Sequence, residues 1–228
     1  MQPDTSHRYG MHRRLVKLWA VLLLVGLGAP AHAAAPDGTL QVLALGDSLT
    51  AGYGLAPAES FPARLQKALA AKGLKVKVHN AGVSGDTASA GLSRLDWALG
   101  AVPGGKPDLA IVELGANDML RGVDPAVTRK ALAAILERFR ADGVPVLLAG
   151  MKAAPNMGAA FGRQFDALYP ALAKEYGATL YPFFLDGVAG NPKLNLQDGI
   201  HPTAEGIDVI VARMTPMVHS LLKQRAGK

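Results

Sequence analysis

Four short segments of this chain combine, in one sequence, residue types that can perform acyl transfer. Gly46-Asp47-Ser48-Leu49 puts a serine just after a glycine that permits a sharp turn. A Ser48 hydroxyl placed there would sit at a helix N-terminus, beside backbone N–H groups able to hold a developing oxyanion. Asp198-Gly199-Ile200-His201-Pro202 puts a histidine three residues after an aspartate. If Gly199 lets that loop curl, Asp198 accepts one imidazole N–H and fixes the tautomer. The other ring nitrogen of His201 is then free to take the serine proton. Asn80-Ala81-Gly82-Val83-Ser84-Gly85 and Gly115-Ala116-Asn117-Asp118 supply candidate donors, the Gly82 backbone N–H and the Asn117 amide. Each donor to an oxyanion contributes roughly 3 kcal/mol.

Each segment also has an ordinary reading. Ser48 could be a helix cap and Asp47 a turn residue; Asp198-Gly199 could be a surface turn. Composition narrows this choice for the histidine. Beyond residue 33 only His79, His201 and His219 remain, in a strand, a loop and a helix stripe respectively. His201 alone occupies a loop suited to a site. An α/β-hydrolase elbow is excluded, because it needs Gly-x-Ser-x-Gly and no serine here has glycine on both sides at that spacing. Ser84 comes closest and is read as positioning the Gly82 turn.

Strand-like and helix-like segments alternate in the elements that must carry these groups. Leu40 to Leu45, Lys75 to His79, Leu109 to Leu114, Val144 to Ala149 and Ala178 to Pro182 read as strands. Ser60 to Lys72, Pro125 to Ala141, Phe161 to Tyr176 (with a kink at Pro170) and Ala204 to Lys223 read as helices, the last capped by Thr203. That alternation predicts one α/β domain: a parallel sheet of about five strands flanked by helices. Ligands of such sheets bind beyond the carboxyl ends of the strands, where all four segments but the histidine loop fall.

The first 33 residues read as a cleaved signal peptide, leaving 34–228 as the functional domain. His12 to Lys17 is basic, Leu18 to Gly28 is apolar, and Ala31-His32-Ala33 offers a small-x-small cleavage site. The apolar stretch is shorter than the about 20 residues of a membrane span. Met11 makes a more typical start for such a signal than Met1. Its removal takes four cations (Arg8, Arg13, Arg14, Lys17) and one anion (Asp4), a net three charges, so the formal +6 falls to +3. The remaining basic residues are scattered, which argues against a nucleic-acid partner. With no cysteine, thiol nucleophiles, thiolate metal sites and disulfides are excluded.

Together the four segments resemble the GDSL (SGNH) hydrolase family, in its exported bacterial thioesterase I/lysophospholipase/arylesterase branch. The matching stretches are Leu45 to Gly54, Asn80 to Thr87, Val112 to Asp118 and Asp198 to Pro202, in family order, and the likeness spans nearly all of Gly38 to Leu222. The resemblance implies a flavodoxin-like three-layer sandwich. It makes Ser48 the nucleophile, His201 the base and Asp198 its orienting acid. The Ser48 N–H, Gly82 and Asn117 become the oxyanion hole. It gives Met157 and Gly158 a substrate-binding role; Met157 stands where relatives often carry an aromatic, which bears on pocket shape rather than chemistry. The expected activity is hydrolysis of esters or acyl thioesters by a periplasmic or secreted monomer, without metal or cofactor. A deacetylase of envelope glycans, a non-catalytic envelope-binding module, and a metal-dependent phosphoesterase using Asp47, Asp118, Asp198 and His201 are the alternatives.

Overall fold

The computed structural model describes residues 38–226, so the expected signal segment lies outside the described residues. Five parallel strands form one sheet in the order β2-β1-β3-β4-β5: β1 (Leu40–Gly46), β2 (Val76–Gly82), β3 (Leu109–Glu113), β4 (Val146–Ala149) and β5 (Thr179–Tyr181). Val42, Leu43, Leu45, Leu109, Val112, Leu147 and Leu148 are wholly buried, as expected of strands covered on both faces.

The helices are α1 (Ser48–Ala51), α2 (Phe61–Ala71), α3 (Ala88–Ser93), α4 (Leu95–Gly100), α5 (Ala116–Leu120), α6 (Pro125–Ala141), α7 (Ala159–Tyr176) and α8 (Ala204–Ala226). Helix α2 packs on α8, whereas α6 packs on both α3 and α7. In α6 the buried Leu132, Ile135, Leu136 and Phe139 form the apolar stripe read from the sequence. Helix α7 runs through Pro170 as one element, as expected, and starts two residues earlier, at Ala159. Thr203 caps α8 as expected, its Oγ1 accepting from the Gly206 N–H at 3.2 Å.

Two differences from the sequence reading bear on function. Strand β2 continues to Gly82, so Asn80, Ala81 and Gly82 belong to the strand and not to the loop after it. The reason is Gly46, which pairs in register with Gly82 on one side and with Glu113 on the other. Second, α3 and α4 fill residues 88–100, which show no clear helical period; Thr87 starts α3 by accepting the Ala90 N–H at 3.2 Å.

The chain leaves β1 toward β2 on one side and returns through β3 on the other. That reversal of strand order lies where an open α/β sheet splits its loops apart and leaves a crevice. Gly46, Gly82 and Glu113 end their strands along this line.

Candidate active site

Ser48 opens the single turn α1, directly beyond Gly46. The cap of that turn is Asp47 rather than Ser48: Asp47 Oδ1 accepts the Leu49 N–H at 3.0 Å. The serine side chain is thereby released from capping. Its Oγ lies 2.9 Å from His201 Nε2, and His201 Nδ1 lies 2.7 Å from Asp198 Oδ2. The imidazole proton therefore belongs on Nδ1, donated to Asp198, with Nε2 accepting from Ser48. Three residues separated by up to 153 positions meet in one hydrogen-bonded line.

A tight hairpin holds the acid and base. The Leu196 N–H donates to the His201 carbonyl at 2.7 Å and the Thr203 N–H to the Leu194 carbonyl at 2.9 Å. Within it Asp198 Oδ1 accepts the N–H groups of Ile200 and His201 at 2.9 and 3.0 Å, so both carboxylate oxygens are used. These bonds, first those from His201, favour the ionised form and hold the Asp198 carboxyl down at about 2. The Tyr53 ring covers the imidazole, with centroids 4.4 Å apart and planes tilted by 33°.

Asn117 sits in the first turn of α5, after Gly115. Gly115 has φ 112°, and a Cβ there would lie 2.3 Å from the Tyr169 hydroxyl, which itself donates to the Leu114 carbonyl at 3.0 Å. Only glycine fits, and the chain can then turn Asn117 toward the serine. Asn117 Nδ2 donates to Asp47 Oδ2 at 3.0 Å, leaving its second N–H for another acceptor. The Gly82 N–H donates to Asn80 Oδ1 at 3.0 Å. A Cβ on Gly82 would lie 2.2 Å from the Ala51 nitrogen, so β2 and α1 touch through bare backbone.

Behind Ser48 lie two buried acids: Asp47, which the sequence offers as a turn residue or a metal ligand, and Glu113, to which it assigns no role. Asp47 and Glu113 are both wholly buried. Glu113 Oε2 accepts the Thr50 hydroxyl at 2.8 Å and lies 3.5 Å from the Asp47 nitrogen. Burial pushes the Asp47 carboxyl up to about 6, opposed by its bonds from Leu49 and Asn117. Burial, and then the charge of Asp47, push Glu113 well above the usual carboxylate range. A lone carboxylate closing an apolar strand run was the available signal for Glu113. Arg94 adds a brace, donating to the Gly46 carbonyl at 2.9 Å and pairing with Asp86 at 2.5 Å.

The dyad opens into a cavity of about 600 Å³. Leu49, Tyr53, Met119, Leu120, Met151 and Phe183 are among its apolar walls, and Ser48, Ser84, Asn117 and His201 its polar ones. Met157 and Gly158 do not line it; Met151 to Pro155, earlier in the same connection, do. Among the described residues no three His, Asp or Glu side chains gather as metal ligands. Asp47 and Asp118 are already engaged: Asp118 accepts the Ala88 N–H at 2.8 Å and the Thr128 hydroxyl at 3.0 Å.

These features define a class. Residues 44–209 match the GDSL-like lipase/acylhydrolase family, and the chain belongs to that family. It is 39% identical to esterase TesA of Pseudomonas aeruginosa over 181 residues, covering 79% of this chain and 89% of the relative. It is 37% identical to thioesterase 1/protease 1/lysophospholipase L1 of Escherichia coli K12, over 84% of this chain and 88% of the relative. The crystal structure of AlinE4, an SGNH-hydrolase family esterase, shares 49% identity with a TM-score of 0.68, covering 80% of this chain and 96% of that one. The expected α/β fold is borne out, and the chain is a serine ester hydrolase.

Proposed function

We propose that the chain is an exported hydrolase that cleaves carboxylic esters and acyl thioesters through an acyl-Ser48 intermediate. The unbroken hydrogen-bonded line from Ser48 through His201 to Asp198 is the observation that carries this reading. His201 Nε2 takes the Ser48 proton as Oγ attacks the acyl carbonyl. Asp198, ionised and exposed at one edge, stabilises the imidazolium that results. The imidazolium then protonates the departing alcohol or thiol, the acyl group stays on Oγ, and a water activated by His201 releases it as the acid.

The tetrahedral oxyanion is held by the Ser48 N–H, the second Asn117 N–H and the Gly82 N–H, the last once Asn80 Oδ1 yields it. Donors fixed in advance are worth most where water is excluded. The apolar cavity walls support an acyl chain rather than a sugar as the group beside the scissile bond.

Residues 1–33 are read as a signal peptide and 34–228 as the mature hydrolase domain, acting as a monomer in the periplasm or medium. No helix among the described residues is long and apolar enough to cross a membrane. The reading is tested with p-nitrophenyl acyl esters and acyl-CoAs on the mature protein. Ser48→Ala and His201→Ala are expected to abolish turnover of both; turnover that survives Ser48→Ala overturns the proposal. N-terminal sequencing of the exported protein tests cleavage after Ala33.

A further inference from the structure

We propose that Lys152 is a specificity residue that selects, for the acyl-transfer site proposed above, substrates bearing an anionic group away from the scissile bond. Among the described residues that line the cavity, Lys152 is the only lysine or arginine, and no aspartate or glutamate joins it there. Everything else on the wall is apolar, small, neutral and polar, or the histidine base. A charge on the substrate therefore has one partner to find.

Lys152 is an exposed residue on an anchored stretch of backbone, with its ammonium beside an aromatic ring. Lys152 follows the buried Met151 in the β4–α7 connection, and the next residue is anchored, its Ala153 N–H donating to Asp166 Oδ1 at 2.8 Å. Its Nζ stands 5.2 Å from the centroid of the Phe183 ring, another lining residue. No carboxylate among the described residues pairs with it. A ring face holds a cation without neutralising it, so the charge stays available to a ligand. Arg121 reaches the lining only from outside, spending a guanidinium N–H on the Gly85 carbonyl at 2.8 Å.

An ammonium is a compact point charge that suits phosphate or carboxylate oxygens without demanding bidentate geometry. Beside apolar walls its field is screened less than on open surface. The same chemistry could meet an anion on the leaving group, such as a phosphate, or a carboxylate at the far end of the acyl chain.

Three substrates of matched acyl length separate these: neutral p-nitrophenyl octanoate, octanoyl-CoA with its phosphates on the leaving side, and the p-nitrophenyl monoester of suberic acid. Lys152→Met is expected to lower kcat/KM by about 3–5-fold on one anionic substrate, mostly through KM, the upper size of one exposed charge contact. The neutral ester should change by less than about 2-fold, as for any position outside the chemistry. Lys152→Arg should restore most of the loss, and added salt should shrink the difference in the unmutated enzyme. Whichever anionic substrate responds identifies the side that Lys152 faces. Equal, small effects of Lys152→Met on all three substrates overturn the inference while leaving acyl transfer at Ser48 intact. Failure of the unmutated enzyme on all three, by contrast, sinks the proposed function itself.

Discussion

Asp47 Oδ2 accepts a hydrogen bond from Asn117 Nδ2 at 3.0 Å, and this bond ties the residue before Ser48, the proposed nucleophile, to the amide proposed to hold the oxyanion. The other oxygen of the same carboxylate holds the Leu49 N–H. One side chain thus sets both the turn that presents Ser48 and the angle of its electrostatic partner. Both bonds need an acceptor, which an ionised carboxylate supplies at both oxygens. An amide does not.

Replacing Asp47 by Asn turns one acceptor into a donor that faces another donor. The expected result is a kcat lower by about 10–100-fold with KM changed by less than about 2-fold, somewhat less than removal of an oxyanion donor outright. A steady-state comparison on one neutral ester checks it. A change confined to KM contradicts the role given to this bond.

Protonation should mimic that substitution. With the Asp47 carboxyl raised to about 6, activity in the unmutated enzyme falls as pH drops through 6, because protonated Asp47 can no longer accept from both partners. Asp47→Asn removes this titration, so the fall through pH 6 should be shallower than in the unmutated enzyme.

Stability should move with pH in the opposite sense over part of the same range. A buried carboxyl whose folded value is raised is easier to ionise when unfolded, so its ionisation destabilises the fold as pH rises. For Asp47 that loss runs from about pH 4, the unfolded value, to 6, and for Glu113 it continues above the ordinary carboxylate range. Asp198 has the reverse sign: held at about 2, its stabilisation is full above about pH 4 and disappears as pH falls toward 2. Thermal melts across this range should show a maximum on the acid side of neutrality. Glu113→Gln, which keeps an acceptor for Thr50, should flatten the decline above it.

Gly82 gives a steric test. A Cβ there would stand 2.2 Å from the Ala51 nitrogen, a backbone atom that cannot swing aside. Gly82→Ala should cost about 1–3 kcal/mol of stability, as overpacking does, and depress kcat by displacing α1 and Ser48 with it. An unfolding midpoint in urea equal to that of the unmutated protein would show that the strand and turn are not locked together.

Tyr53 covers His201 at 4.4 Å between ring centroids although it is half exposed. Tyr53→Phe keeps the ring and should stay within about 2-fold of full kcat/KM, whereas Tyr53→Ala should lose about 2–10-fold, the worth of one aromatic contact. Equal losses in both would move the role from the ring to the hydroxyl.

Much of this was legible in the sequence. The strands announced themselves because both faces are covered, leaving runs such as Leu40 to Leu45 almost wholly apolar. Ser48, Asp198 and His201 were legible because a serine, an aspartate and the one loop histidine fell in suitable turns, and the geometry brings them together. What was hidden depends on contacts across the sheet. Nothing local says that Glu113 lies beside Gly46, since 66 residues separate it from Asp47 and only strand register joins them. Residues 88–100 are rich in small side chains, so α3 and α4 rest on tertiary packing rather than periodicity. Lining by Met151 to Pro155 in place of Met157 and Gly158 depends on the path of a connection, which spacing does not encode.

In the proposed mechanism Ser48 becomes covalently acylated by His201-assisted attack. Incubation with a p-nitrophenyl alkylphosphonate, followed by intact-mass and peptide mass spectrometry, is the decisive experiment. One phosphonyl adduct per chain is expected, on the peptide containing Ser48, formed in step with loss of esterase activity and greatly slowed in His201→Ala. Complete inactivation with the adduct on another residue, or full esterase activity in a chain quantitatively modified at Ser48, would contradict it.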